Sequence, residues 1–76
     1  MRELLHEPNH HRLLEDETGK LHLEVECGTT AVFLVTFALN DAERKVYASG
    51  GPASILDLAW KVRDSPGDYT NRAETS

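Results

Sequence analysis

The sequence predicts an α+β fold: an antiparallel meander of three to four strands followed by one C-terminal helix packed on one face of the sheet. Residues 21–27 alternate between apolar and polar, residues 31–39 are rich in β-branched and aromatic side chains, and residues 52–63 carry apolar side chains at helical spacing. Neither a sheet nor a helix buries its apolar face alone, so the two should pack together. We assign residues 1–66 to one small domain and residues 67–76, which are polar and aperiodic, to a disordered tail.

The first half of the chain predicts a hairpin. Residues 1–10 hold one apolar pair, Leu4 and Leu5, and predict a short first strand or a loose arm. In residues 12–27, the run DETGK supplies a turn in which Gly19 can adopt a positive φ. The arm after the turn has a period of two, which predicts a half-buried strand. One face carries Leu21, Leu23, Val25 and Cys27. The other carries His22, Glu24 and Glu26, and we expect it to be exposed or, alternatively, covered by a second copy of the protein.

Residues 31–39 are apolar on both faces, so we expect them to form the central strand. Residues 40–43 then predict a turn and residues 44–49 a short final strand, because Val46 and Tyr47 favour sheets. The alternative is a helix through residues 41–48, capped by Asn40.

The C-terminal helix is predicted from an apolar stripe. Pro52 suits a first helical turn, and Ser54 and Asp57 have the spacing of a capping box. The preceding glycines lack the spacing and the lysine of a phosphate-binding loop, so we interpret them as a turn. The stripe consists of Ile55, Leu58, Ala59 and Val62.

Composition excludes several classes of partner. The chain has 76 residues, one cysteine and a net charge of −5, and its first half is the more acidic. Acidic surfaces repel phosphates and anionic headgroups, so we expect neither nucleic-acid nor membrane binding. One cysteine forms no internal disulfide, and no apolar run is long enough to span a bilayer, so we expect a cytoplasmic protein.

No catalytic or metal-binding pattern is apparent. Cys27 and His22, five positions apart on one strand, should face opposite sides of the sheet. His10 and His11 are adjacent, so on a strand they too would point apart, and together with His6 they lack the spacing of a zinc site. We therefore expect no enzyme activity, no metal and no cofactor.

The remaining candidates are aromatic and apolar side chains that suit a partner-binding surface. Trp60 and Leu56 form an i, i+4 pair beside the helix stripe. Tyr47 should lie on the other face of its predicted strand from Val46, and Trp and Tyr are enriched among residues that dominate binding energy. The sequence thus predicts a small non-enzymatic protein-interaction module that binds a protein partner or a second copy of itself, through the open sheet edge at residues 44–49 or through the Trp60 side of the helix. One alternative is an acidic antitoxin- or immunity-type protein that neutralises a basic partner. The other is a small-ligand or metal-binding protein that uses the His-rich N-terminal arm.

Overall fold

The computed structural model describes residues 1–28 and 31–70. Within them the chain forms β1 (Arg2–Glu7), β2 (His11–Glu15), β3 (Leu21–Cys27), β4 (Phe33–Ala38), α1 (Asp41–Gly50), α2 (Pro52–Asp64) and α3 (Gly67–Thr70). The four strands form one antiparallel sheet in the order β1-β2-β3-β4. The predicted α+β meander is confirmed, but three described helices follow it rather than one. None of these helices is long and apolar enough to cross a membrane.

The predicted β2–β3 hairpin is present, and Asp16 organises its turn. The Asp16 carboxylate accepts hydrogen bonds from the backbone N–H groups of Thr18 and Lys20, at 2.9 and 3.0 Å. Hydrogen bonds from Thr18 and from the ring of His22 hold the pKa of Asp16 well below its usual range. Gly19 has a φ of 87°, which is the conformation that the turn requires.

The core lies between α2 and one face of the sheet. Alternation along β3 points its apolar side chains toward the helix, and Ile55, Ala59 and Val62 of α2 meet them as predicted. Burial is nearly complete for the central members, which are Leu13, Leu23, Val25, Val35, Phe37, Ile55, Ala59 and Val62. The opposite face of the sheet carries no described helix, because α2 and α3 both pack on the core side.

The strand predicted over residues 44–49 is wrong, and the alternative helix is correct. The Asn40 side chain accepts a hydrogen bond from the N–H of Glu43 at 2.8 Å, and the Glu43 carboxylate accepts one from the N–H of Asn40 at 2.9 Å. This reciprocal capping box satisfies free N–H groups at the start of α1 and outweighs the sheet preference of Val46 and Tyr47. Because no described strand follows β4, residues 33–38 form an edge strand of the described sheet and not the predicted central one.

Two further expectations need correction. The first turn of α2 has Gly51 at its N-cap without a side-chain cap, and the Ser54 hydroxyl donates to the Gly51 carbonyl at 2.7 Å, so Ser54 and Asp57 do not form a capping box. Residues 67–70 form a helical turn whose Tyr69 ring packs on Phe37, with 5.1 Å between ring centroids. That part of the predicted tail belongs to the folded domain, and residues 71–76 lie outside the described residues.

Candidate functional site

The two edges of the sheet differ sharply in chemistry. The β1 edge carries charged residues along its length, among them Glu3 and Glu7, and its register shifts between Glu3 and Leu5. Charges and irregular register are the features that prevent an edge strand from pairing with another chain. The β4 edge has a regular register with β3, and residues 31–39 contain no charged residue. Of the two edges that residues 1–28 and 31–70 form, only the β4 edge is therefore suited to further strand pairing.

The outward backbone groups of β4 follow from its register. The N–H of Leu39 donates to the carbonyl of Leu21 at 2.9 Å, so odd-numbered residues of this segment point their N–H and C=O groups toward β3. Even-numbered residues point their backbone N–H and C=O groups away from β3, toward the open edge of the sheet. Within the described part of the chain, the backbone groups of Leu34 and Thr36 have no hydrogen-bond partner.

Exposed apolar side chains surround these backbone groups. Val32 is 62% exposed, Phe33 44% and Leu34 60%, and all three lie at the N-terminal end of β4. Leu34 and Thr36 lie on the sheet face away from α2, whereas Phe33 lies on the core side. We refer to Val32, Phe33, Leu34 and Thr36 as the β4 edge patch.

A cleft of about 380 Å³ lies beside the β4 edge patch on the helix side. Trp60 is 55% exposed in it, and the Arg63 guanidinium carbon lies 5.2 Å from the centroid of the Trp60 ring, which is a cation–π arrangement. We call it the aromatic cleft, and its lining residues are Gly28, Phe33, Trp60, Arg63, Asp64 and Pro66.

The β1–β2 turn also contacts Trp60. The His10 ring packs edge-on against Trp60, with 4.8 Å between centroids, and His10 Nδ1 lies 2.6 Å from His11 Nδ1. One ring must donate and the other accept, so this contact requires a neutral acceptor ring. Burial lowers the pKa of both histidines. The positive charge of Arg63 lowers the His10 pKa further, whereas Glu7 opposes the shift at both rings. The adjacent histidines thus meet instead of pointing apart, because His10 lies in the turn before β2.

The histidines do not assemble a metal site in residues 1–28 or 31–70. No group of three or more His, Cys, Asp or Glu side chains has a metal-binding arrangement there. His10 Nε2 is buried and has no hydrogen-bond partner among the described residues.

The predicted partner-binding residues do not form one surface. Trp60 lines the aromatic cleft. Leu56, one turn earlier on α2, is also exposed but lines a separate depression with Leu5 and His11 near β1. Tyr47 is on α1, not on a strand, and packs against the core. Of the predicted set, only Trp60 adjoins the β4 edge patch.

Other chemically active side chains have partners inside the fold. His22, which was expected to be exposed, is buried, and its Nε2 lies 2.7 Å from the Asp16 carboxylate. Cys27 lies on the opposite face of β3, as predicted, and burial raises the pKa of its thiol, so the nucleophilic thiolate is disfavoured. Arg12 bridges Glu24 and Glu3, at 2.9 and 3.5 Å, which neutralises part of the acidity on the open face of the sheet.

Sequence reasoning missed Leu34, Thr36 and Phe33 as site residues. The available signal was the uncharged run of residues 31–39 followed by Asn40 and Glu43, a capping pair that ends the sheet at this strand. No protein-family model, curated protein or solved structure matches the chain. The geometry of the described residues is therefore the evidence from which a function is proposed below.

Proposed function

We propose that this chain is a small protein-interaction module that binds an extended partner strand along the β4 edge. The observation that carries the proposal is the outward-pointing backbone of Leu34 and Thr36, on an uncharged edge strand with exposed apolar neighbours. Strand addition uses these two features together. Main-chain hydrogen bonds provide affinity, and alternating side chains provide specificity.

The aromatic cleft supplies the anchor that short strand pairing needs. Trp60 is a large, half-exposed side chain beside Phe33, and tryptophan is enriched among residues that dominate binding energy. Burying one exposed side chain of the size of Val, Leu or Phe contributes about 1.5–3 kcal/mol. Val32, Phe33 and Leu34 are 62%, 44% and 60% exposed, so burying each one contributes roughly half of that amount and offsets part of the entropy lost on association.

The β1–β2 turn supports the proposal because its His10 ring restricts the orientation of Trp60. The edge-on contact with His10 and the cation–π contact with Arg63 restrict the indole before a partner arrives. A pre-oriented anchor loses less conformational entropy on binding than a free one. In this module the histidines have a structural role beside the binding surface.

The experiment that tests the proposal replaces Thr36 with proline. The Thr36 N–H points away from β3, so Thr36→Pro removes an outward donor without removing a hydrogen bond of the sheet. The wild-type chain and the variant are each used as bait in lysate of the source cells, after circular dichroism has shown that both are folded. We expect proteins recovered by the wild type, including further copies of the chain, to be lost with Thr36→Pro.

Val46→Lys is the matched control. Val46 is 56% exposed on α1 and does not line the aromatic cleft, so a charge there should leave capture unchanged. Capture that persists with Thr36→Pro, or that is lost equally with Val46→Lys, would contradict strand addition at β4.

A further inference from the structure

The sheet edge is complementary to itself. Residues 31–39 contain no charge, whereas the whole chain has a net charge of −5. A net negative charge disfavours the approach of two copies, but residues 31–39 bring no like charges together at the β4 edge. An edge strand placed antiparallel to its own copy also obeys two-fold symmetry, the commonest symmetry of soluble oligomers.

We propose, building on the proposed function, that the strand bound at the β4 edge is the β4 strand of a second copy. The two strands pair antiparallel about a two-fold axis and join two four-stranded sheets into one continuous eight-stranded sheet. Both helical layers then lie on the same side of the joined sheet.

The exposed side chains select the register. With Leu34 opposite Leu34 of the second copy, Val32 lies opposite Thr36 and Phe33 opposite Val35. The outward N–H and C=O groups of Leu34 then pair with those of its symmetry mate. All three exposed apolar residues of the β4 edge patch lie within the paired segment of each copy.

The position of α3 agrees with this register. Tyr69 of α3 packs over Phe37, toward the C-terminal end of β4. Pairing centred on Leu34 extends over residues 32–36 and leaves that end of the strand to α3. The free, apolar end of β4 is thus the end that the second copy covers.

Introducing a positive or a negative charge at Leu34 tests the pairing. Leu34 is exposed, so Leu34→Lys and Leu34→Glu remove no core contact. In the paired state each new charge lies opposite its own copy, where like charges are destabilising and opposite charges attract. We expect light scattering to give twice the chain mass of 8.5 kDa for the wild type and for Val46→Lys. Each Leu34 variant alone should give the single chain mass, and an equimolar mixture of the two should return to twice that mass.

The outcomes separate self-pairing from the broader proposal. A wild-type chain that stays monomeric from micromolar to millimolar concentration overturns self-pairing. If Thr36→Pro still abolishes capture of another protein, the edge remains a strand-binding site. A dimer whose mass is unchanged in both Leu34 variants overturns self-pairing at β4 as well, because the copies then meet elsewhere. A dimeric wild type supports self-pairing if each Leu34 variant alone is monomeric and the mixture of the Lys and Glu variants regains the doubled mass.

Discussion

Gly28→Ala should destabilise the fold much more than Gly19→Ala, although both glycines have a positive φ. Gly28 directly follows β3, lines the aromatic cleft and has a φ of 98°, and Gly19 lies in the β2–β3 turn with a φ of 87°. A Cβ at Gly28 would lie 2.1 Å from the carbonyl oxygen of Ala31, whereas a Cβ at Gly19 meets nothing within 4 Å. The two substitutions therefore share backbone strain and differ in the clash.

The expected magnitudes follow from these two contributions. An L-residue in a left-handed conformation costs about 1–2 kcal/mol, and alanine recovers about 0.4–1 kcal/mol by restricting the unfolded chain. Gly19→Ala should thus lower the free energy of unfolding by about 1 kcal/mol. The backbone shift forced at Gly28 adds about 1–3 kcal/mol, for a total near 3 kcal/mol. For a 76-residue domain with a stability of about 4–11 kcal/mol, that loss is a large fraction.

Thermal unfolding followed by circular dichroism measures the difference. About 1 kcal/mol shifts the Tm of a domain of this size by about 4–8 °C, so Gly28→Ala should lower the Tm by about 12–24 °C and Gly19→Ala by about 4–8 °C. Equal Tm values for the two variants would refute the clash between a Gly28 Cβ and the Ala31 carbonyl.

Three further predictions concern the N-cap of α1, the histidines of the β1–β2 turn and β2, and the core. Asn40→Ala removes the α1 cap and should lower the free energy of unfolding in urea by about 1 kcal/mol, whereas Asn40→Asp should retain most of it. Because the folded state lowers the pKa of His10 and His11, their neutral forms stabilise it above about pH 6.5, and this stabilisation is lost as the pH falls through their lower folded-state pKa values. The Tm of the wild type should thus fall more steeply toward about pH 5 than that of His10→Phe, and parallel slopes would contradict the shifts. Phe37→Ala, at a fully buried site, should cost about 3–5 kcal/mol in the same urea titration, against less than about 0.5 kcal/mol for the exposed Val46→Ala.

Local patterning predicted the elements whose signal is contained in a short window. The alternation of residues 21–27 placed β3 with its apolar face correct, and the stripe of Ile55, Ala59 and Val62 placed the buried side of α2. In both cases the periodicity of the apolar residues identifies the buried face, and a single packing partner covers that face.

The errors arose where two local preferences competed. Val46 and Tyr47 favour a strand, but the hydrogen bonds between Asn40 and Glu43 cap a helix that contains both. That single error also made β4 a central strand and left its edge out of the predicted binding surface.

Side-chain contacts between distant segments were beyond local pattern. The burial of His22 depends on Asp16 reaching across the hairpin turn, and the His10–Trp60 contact joins the β1–β2 turn to α2. Neither contact produces a periodic pattern or a characteristic residue spacing in the sequence. Trp60 was predicted as a binding residue from its residue type, but its neighbours Phe33 and Arg63 became apparent only with the fold.

Amide hydrogen exchange at Leu34 and Thr36 as a function of protein concentration tests the central claim most directly. These N–H groups point away from β3, so they are protected only when another strand pairs with them. We predict that their exchange slows as concentration rises, whereas the already bonded amides of Val35 and Phe37 exchange slowly throughout. Fast exchange of Leu34 and Thr36 at every concentration would contradict self-pairing along β4.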